Sequence, residues 1–115
     1  MNPKYPIFIP TKGRHKTPFT IKALQAIGVP FKAVVEAQEH NAYAAVVGEE
    51  NLIVLPHQNQ GLTVTRNWIW DYAQHELKTS YFWTMDDNIT NFYRLNRNIK
   101  YRVDSGTFLH VMEEF

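Results

Sequence analysis

The segment Tyr-Phe-Trp-Thr-Met-Asp-Asp-Asn-Ile, residues 81–89, joins an apolar run directly to two adjacent carboxylates. The run predicts a strand that is covered on both faces of a sheet. Asp86 and Asp87 cannot stay ionised inside a core without a partner, so the strand must emerge into solvent where they begin. With Asn88 they offer the hard oxygen ligands that Mg²⁺ or Mn²⁺ prefers. A helix cap or an Asx turn explains the same three residues without a metal.

Length and composition bound the class of protein. The chain has 115 residues, which predicts a single domain over 1–115, and its formal net charge of +1 does not indicate a polyanion partner. It contains no cysteine, which excludes disulfides and thiolate metal sites and fits a soluble, cytoplasmic protein. No apolar run approaches the roughly 20 residues that span a bilayer, so no membrane partner is expected.

Strand and helix patterns alternate along the chain before this segment. The predicted strands cover 5–10, 31–35, 52–55 and 81–85, and the predicted helices cover 17–27, 39–47 and 63–77. The first helix is expected to start from Thr17 as N-cap and to bury Phe19, Ala23, Ala26 and Ile27. The third is expected to bury Ile69, Ala73 and Leu77. Strict alternation predicts an α/β fold with a mostly parallel sheet and right-handed crossovers.

Polar clusters follow the predicted strands. They are the basic loop 11–16, Glu36, the loop 57–61 and the acidic segment 86–88. In an open parallel sheet, ligands bind beyond the carboxyl ends of the strands, where the strand order reverses. If the order reverses between the first and fourth strands, the basic loop faces the carboxylates. Lys12 and Arg14 would then meet phosphate, and the acids would hold a bridging cation.

Arg66 gives a separate indication of an anion. A cation in the first turn of a helix opposes the helix dipole at a cost of several tenths of a kcal/mol. An anion bound at that helix start would relieve the conflict. Pairing of Arg66 with a nearby carboxylate or carbonyl explains its position equally well.

Several of these motifs occur in the order known from one enzyme family. They are Ile-Phe-Ile-Pro-Thr-Lys-Gly-Arg at 7–14, Glu36, Asn-Gln-Gly-Leu at 59–62, Arg-Asn at 66–67 and Met-Asp-Asp-Asn at 85–88. The pattern resembles the donor-binding half of GT-A (nucleotide-diphospho-sugar transferase-like) glycosyltransferases. It is most similar to the glycosyltransferase-like proteins that are associated with TET/JBP dioxygenases in phages.

The resemblance implies a nucleotide-sugar donor, a divalent metal cofactor (Mn or Mg), and hydroxylated pyrimidines of phage DNA as acceptor. It also implies a location in the host cell cytoplasm. The donor-binding residues that it implies are Thr11, Lys12, Gly13, Arg14, Glu36, Asn59, Gly61, Arg66 and Asp86. The implied metal ligands are Asp86, Asp87 and Asn88.

The sequence departs from the family pattern in two places. The third position of the acidic motif is Asn88, where the family has aspartate, and Asn88 is a weaker ligand. The chain also ends before the half that binds the acceptor and supplies a general base. Glu113 and Glu114 are interpreted as the solvated face of a closing helix, so no catalytic base is assigned. A truncated GT-A domain would need a partner chain or a homo-oligomer to complete the acceptor site.

Other readings of the sequence lead to different functions. A receiver-type or phosphoryl-transfer domain also gathers acids at strand ends, although its key aspartate usually ends an early strand. A nucleotide-sugar-binding or assembly module without turnover is the non-enzymatic alternative. The basic and aromatic residues between 92 and 102 are typical of nucleic-acid binding and equally of a charged edge strand.

Overall fold

The computed structural model describes residues 3–79, 81–89, 93–96, 99–102, 106, 109, 112 and 113. Its first sheet contains β1 (Ile7–Pro10), β2 (Lys32–Glu36), β3 (Leu52–Leu55) and β4 (Trp83–Thr84). The helices between these strands are α1 (Phe19–Ala26), α2 (His40–Val47) and α3 (Leu62–His75). An antiparallel hairpin of β5 (Tyr93–Asn96) and β6 (Ile99–Arg102) follows.

The four strands of the first sheet are parallel and lie in the order β3-β2-β1-β4. The chain passes from β1 to β2 to β3 on one side and then returns through α3 to place β4 on the other side of β1. This arrangement confirms the predicted α/β class and the reversal of strand order between the first and fourth strands. The switch point therefore lies at the carboxyl end of β1.

Helices cover both faces of this sheet, because successive side chains of a strand point to opposite faces. On one face, Ile7 and Ile9 of β1 pack in a buried cluster with Leu24 of α1 and Tyr43 of α2. On the other face, Phe8 packs in a cluster that includes Ile69 of α3. Both faces of β1 are thus buried, which is why its sequence is continuously apolar.

The strand predicted over 81–85 is shorter than expected. Only Trp83 and Thr84 pair with β1, and the Tyr81 side chain is 65% exposed. In the part of the chain that the structure describes, β4 borders the sheet and has β1 as its single neighbour. The apolar run arises instead because Phe82 packs edge-on against Phe8 and Met85 joins the core cluster on the opposite face.

The helix faces differ from the prediction in three respects. Ala23 is buried as predicted and Ile27 is partly buried against the core, but Phe19 and Ala26 are exposed, and α1 also buries Thr20 and Ile21. Thr20 is buried because its hydroxyl is hydrogen-bonded on both sides, a use that an apolar pattern cannot reveal. Thr17 makes no cap, since Pro18 occupies the N-cap position. Leu77 lies beyond the end of α3 and is exposed.

Near the end of the described chain, the interpretation of Glu113 as a solvated residue is wrong. Its carboxylate accepts hydrogen bonds from the backbone N–H groups of Lys4 (2.8 Å) and Tyr5 (3.0 Å) and from Trp83 Nε1 (2.9 Å). Glu113 therefore ties the distal part of the chain to the segments before β1 and at β4. Glu114 and most of the predicted closing helix lie outside the described residues.

β5 and β6 lie in the segment 92–102, where the sequence also allowed a charged edge strand; their pairing as a hairpin was not predicted. None of the helices in the described part of the chain has the length and apolar character needed to cross a membrane.

Two phenylalanines provide a matched test of this core. Phe8→Ala should lower the free energy of unfolding by about 3–5 kcal/mol, because Phe8 of β1 is fully buried against α3. Phe19→Ala should cost less than about 1 kcal/mol, because 38% of Phe19 is already exposed. Urea denaturation of both variants measures the difference. Equal losses would contradict the observed orientation of α1.

Candidate nucleotide-sugar site

A cleft of about 450 Å³ with both apolar and polar walls lies at the carboxyl ends of the parallel strands. Its walls come from β1, β2 and the end of β3, the loop before α3, the first turns of α3, and the turn after β4. The lining residues are Pro10, Thr11, Lys12, Val34, Glu36, Leu55, Asn59, Gly61, Leu62, Thr65, Asp86 and Asp87. The sheet topology thus brings segments that are far apart in sequence to one opening.

The turn that carries Asp86 and Asp87 is anchored to α1. The Thr20 hydroxyl donates a hydrogen bond to the Asp86 carbonyl oxygen and accepts one from the Ile89 backbone N–H (2.9 Å). Because Thr20 is buried, water cannot compete for these two hydrogen bonds, and they hold the acidic turn in place. The direction of the two carboxylates is therefore set by α1 as well as by β4.

The two carboxylates have different surroundings. Asp87 Oδ2 accepts a hydrogen bond from Thr11 Oγ1 (3.0 Å), and Asp87 Oδ1 lies 3.2 Å from Arg14 Nε. The Asp86 side chain is 70% exposed, and its Oδ1 lies 3.7 Å from Arg66 Nη2. Asp87 is therefore held firmly in the wall of the cleft, while Asp86 faces solvent beside it.

The Arg66 pairing matches the alternative that the sequence left open. Arg66 is the fifth residue of α3, because the helix begins at Leu62 and not at Thr63. It therefore stands just past the first turn, where the conflict with the helix dipole is weaker than expected. The guanidinium reaches Asp86 beside the cleft and is not part of the cleft wall.

Glu36 is the most enclosed acid of the cleft, with 7% of its surface exposed. Burial alone would raise the pKa of Glu36. Hydrogen bonds from Gln38 Nε2 (2.6 Å) and the Asn59 backbone N–H (3.1 Å), with the charge of Lys12 at 3.6 Å, outweigh burial and lower that pKa. Glu36 is thus ionised at neutral pH and faces the cleft as a hydrogen-bond acceptor.

The segment before α3 has an unusual backbone. Asn59 has a φ of 56°, and Gly61 has a φ of 90°, a value that favours glycine. Gly61 occupies the N-cap position of α3, where no side chain caps the helix. Since the first residues of α3 line the cleft and its first turn contains no acid, the positive end of the helix dipole faces the opening.

The predicted donor residues divide into two groups by position. Thr11, Lys12, Glu36, Asn59, Gly61 and Asp86 line the cleft together with the predicted metal ligand Asp87. Gly13, Arg14, Arg66 and Asn88 are not part of its wall. The Gly13 backbone N–H donates to Glu39 Oε1 (2.7 Å), and Asn88 is exposed in the turn after β4. The ligand-binding role of each residue stays a prediction.

Some residues that build the site were missed in the sequence. Tyr43 contacts Thr11 and Arg14 through its hydroxyl, Gln38 holds Glu36, and Thr20 holds the acidic turn. Tyr43 and Thr20 lie on helices, where the apolar pattern marks them at most as core positions. No local motif signals their contacts, because each reaches across to another element. The Glu36-x-Gln38 pair is the one local signal that could have been found.

The carboxylate oxygens at this site are compatible with a divalent cation whose remaining coordination positions are filled by a bound ligand and water. Among the residues that the structure describes, no three His, Cys, Asp or Glu side chains form a metal-binding group. Mg²⁺ often uses only one or two protein carboxylates, with phosphates and water filling the other positions. Asp86 meets this requirement because its exposed carboxylate borders the cleft. Asp87 would add a second oxygen while keeping its bonds to Thr11 and Arg14.

A parallel sheet with helices on both faces and a cleft at its switch point is consistent with a GT-A-like α/β fold. The family comparison agrees with this class: the model of the TET-Associated Glycosyltransferase family matches residues 5–115. The chain belongs to the TET-associated glycosyltransferase family, as the motifs of its sequence indicated. Comparisons with curated proteins and with solved structures gave no significant match.

The lowered pKa of Glu36 predicts a pH-dependent contribution to stability. A carboxyl whose pKa is lower in the folded state stabilises the fold above its unfolded pKa, near the ordinary value of 4.5, and this contribution is lost as pH falls through the folded pKa. Glu36→Gln should therefore cost about 1–2 kcal/mol at about pH 7 and much less at about pH 3.

Urea denaturation at a series of pH values measures this difference. Glu76→Gln, at an exposed position after α3, is the matched control and should show little change at any pH. A cost of Glu36→Gln that is constant with pH would contradict the assigned ionisation of Glu36.

Proposed function

We propose that this domain binds a nucleotide-diphosphate sugar together with Mn²⁺ or Mg²⁺ and transfers the sugar to hydroxylated pyrimidines in phage DNA. Membership of the family supports glycosyl transfer. The observation that carries the finer proposal is the convergence of Lys12, Glu36, Asp86 and Asp87 on one cleft. Its volume of about 450 Å³ lies within the range of small-ligand sites.

The nucleoside of the donor would lie along Thr11 and Glu36. Glu36 is ionised and accepts hydrogen bonds, so it suits a ring N–H or a ribose hydroxyl. The apolar side chains of Val34, Leu55 and Leu62 line the same cleft and can pack against a flat ring. This end of the cleft therefore combines apolar contact with a buried acceptor.

The diphosphate would lie toward the start of α3. The uncapped N-terminus supplies backbone N–H groups, and the helix dipole favours negative charge there. The half-exposed Lys12 side chain lies near this end: its ammonium group donates to Asn59 Oδ1 in the loop before α3 and lies 3.6 Å from Glu36 Oε2. Asp86 and Asp87 would hold the cation, with Asn88 and the sugar nearby.

When bound, the cation would neutralise charge that develops on the departing diphosphate. The residues of this chain would do the positioning. Thr11 and Arg14 fix Asp87, Thr20 fixes the acidic turn, and Arg66 sits next to Asp86. The acceptor hydroxyl would approach from the side of β4, beyond Asp86.

A binding module without turnover is the second candidate, and one observation favours it. Glu113, a late carboxylate that the structure describes, is bound to the backbone of Lys4 and Tyr5 and to the Trp83 indole. This position uses Glu113 as a structural anchor and not as a general base. Another chain would then complete the acceptor side.

Calorimetric titration tests the donor site directly. UDP or UDP-glucose should bind in the presence of Mn²⁺, and chelation of the metal should weaken binding by at least about tenfold because the diphosphate loses its bridging cation. Asp86→Asn should weaken binding by a similar factor. Asp71→Asn, on the exposed surface of α3, is the charge-matched control and should bind as the unmodified chain does.

Turnover separates the two candidates. Release of UDP from UDP-glucose should require DNA that contains hydroxymethylated pyrimidines if the chain is an enzyme. Binding without release would indicate the module. If UDP, UDP-glucose and other nucleotide sugars all fail to bind, the proposed donor site is wrong.

A further inference from the structure

Tyr43 links the core of the domain to the cleft. Its ring is fully buried between α2 and the sheet, and its hydroxyl lies at the end of β1. The hydroxyl oxygen lies 2.8 Å from the backbone nitrogen of Arg14 and 2.8 Å from Thr11 Oγ1. Thr11 Oγ1 in turn lies 3.0 Å from Asp87 Oδ2. A continuous chain of hydrogen bonds therefore runs from the Arg14 backbone to the Asp87 carboxylate.

The direction of this chain follows from counting protons. The Thr11 hydroxyl donates its single proton to Asp87 Oδ2, whose other oxygen faces the Arg14 guanidinium. Thr11 Oγ1 must then accept the proton of Tyr43, since either atom could otherwise be the donor. The Tyr43 oxygen is left to accept from the Arg14 N–H. Each hydroxyl thus donates once and accepts once, and every donor points toward Asp87.

The environment of Tyr43 keeps this proton in place. Burial raises the pKa of Tyr43, and the negative charges of Glu39 and Asp87 act in the same direction. The hydrogen bonds with Thr11 and Arg14 act the other way but do not reverse the shift. Tyr43 therefore remains a neutral O–H donor across the neutral pH range.

We propose that Tyr43 is a positioning residue of the donor cleft, which aligns the Thr11 hydroxyl and the Arg14 backbone so that both residues engage Asp87. This inference rests on the proposed function for its consequence in donor binding. This positioning role does not require Tyr43 to contact the donor. It acts through Thr11 and Asp87, which line the cleft.

The loop after β1 is held in place by contacts with Tyr43, Glu39 and Asp87. Arg14 is held at its backbone by Tyr43 and at its side chain by Asp87 Oδ1 (3.2 Å). Gly13 is held to the same helical segment by Glu39 (2.7 Å). The segment of Glu39 and α2 is thus the support for the basic loop. Removal of the Tyr43 hydroxyl would leave the Arg14 N–H without its acceptor and Thr11 without its donor.

The first test needs no ligand. Tyr43→Phe should accelerate hydrogen exchange of the Arg14 backbone amide by about tenfold, because this amide loses its acceptor. Tyr72→Phe is the matched control: Tyr72 packs against Phe8 and Trp68 on the opposite face of the sheet. Tyr72→Phe also removes one hydroxyl, but it should leave hydrogen exchange of the Arg14 backbone amide unchanged. Unchanged exchange in Tyr43→Phe would overturn the proposal.

The second test measures UDP affinity in the presence of Mn²⁺. Tyr43→Phe and Thr11→Val should each weaken binding by about tenfold, and the double variant should lose clearly less than the roughly hundredfold product of the two, because both act on Asp87 through the Thr11 hydroxyl. Thr11→Ser keeps the hydroxyl and should recover most of the affinity that Thr11→Val loses. Losses that multiply in the double variant would overturn the proposal, because they would mean that Tyr43 and Thr11 act independently.

The two measurements distinguish failure of this inference from failure of the donor site. If the unmodified chain binds no nucleotide, the donor proposal fails, and Arg14 exchange alone decides the role of Tyr43. If Tyr43→Phe does not fold, exchange of the Arg14 amide in the unmodified chain takes its place, because Thr11→Val leaves the Arg14 N–H bonded to the Tyr43 hydroxyl. Protection of this amide against exchange would support the proposal, and exchange as fast as in an open loop would overturn it.

Discussion

The hydrogen bond between Thr11 and Asp87 connects the two chain segments that meet at the switch point of the sheet. β1 and β4 are adjacent parallel strands, so the residues that follow them emerge at the same edge. On its other side, Thr11 continues the ladder with β2 through a hydrogen bond from its backbone N–H to the Val34 carbonyl (3.1 Å). One residue therefore fixes the positions of three strand ends, and the cleft depends on that fixed edge.

The charges around this edge are balanced in pairs. The acids and their cationic partners are Glu36 with Lys12, Asp86 with Arg66, and Asp87 with Arg14. The Asp86–Arg66 pair is exposed on both sides, so it contributes little net free energy and exchanging its partners costs little. On the proposed function, a diphosphate would take Lys12 and a divalent ion would take Asp86 and Asp87. The bound complex would thus replace one set of compensated charges with another.

Much of the architecture could be predicted because the relevant signals are local. Continuous apolar runs identified the parallel strands, and acids at their ends located the cleft at the carboxyl edge. The segment 81–89 gave the right place for the acidic turn but the wrong length of strand. Phe82 and Met85 are apolar because they pack on opposite faces of the sheet, and an apolar run does not reveal how many of its residues form ladder hydrogen bonds.

The supporting contacts could not be predicted, because they join elements that are far apart in sequence. The hydroxyls of Tyr43 and Thr20 serve the cleft from helices on one face of the sheet, and in an amphipathic pattern such residues look like ordinary core positions. Glu113 was misread for the same reason, since its partners Lys4 and Tyr5 lie at the other end of the chain. Pairing across such distances depends on the topology and not on any local motif.

The central claim is that the acids at this edge bind a nucleotide diphosphate through a metal ion. A crystal soaked with UDP and Mn²⁺ tests it most directly, with anomalous scattering recorded at the manganese edge. We expect one manganese peak in coordination contact with the Asp86 carboxylate and with phosphate oxygens, with the uracil ring beside Glu36. A nucleotide bound elsewhere, or an empty cleft at saturating UDP and Mn²⁺, would contradict the claim.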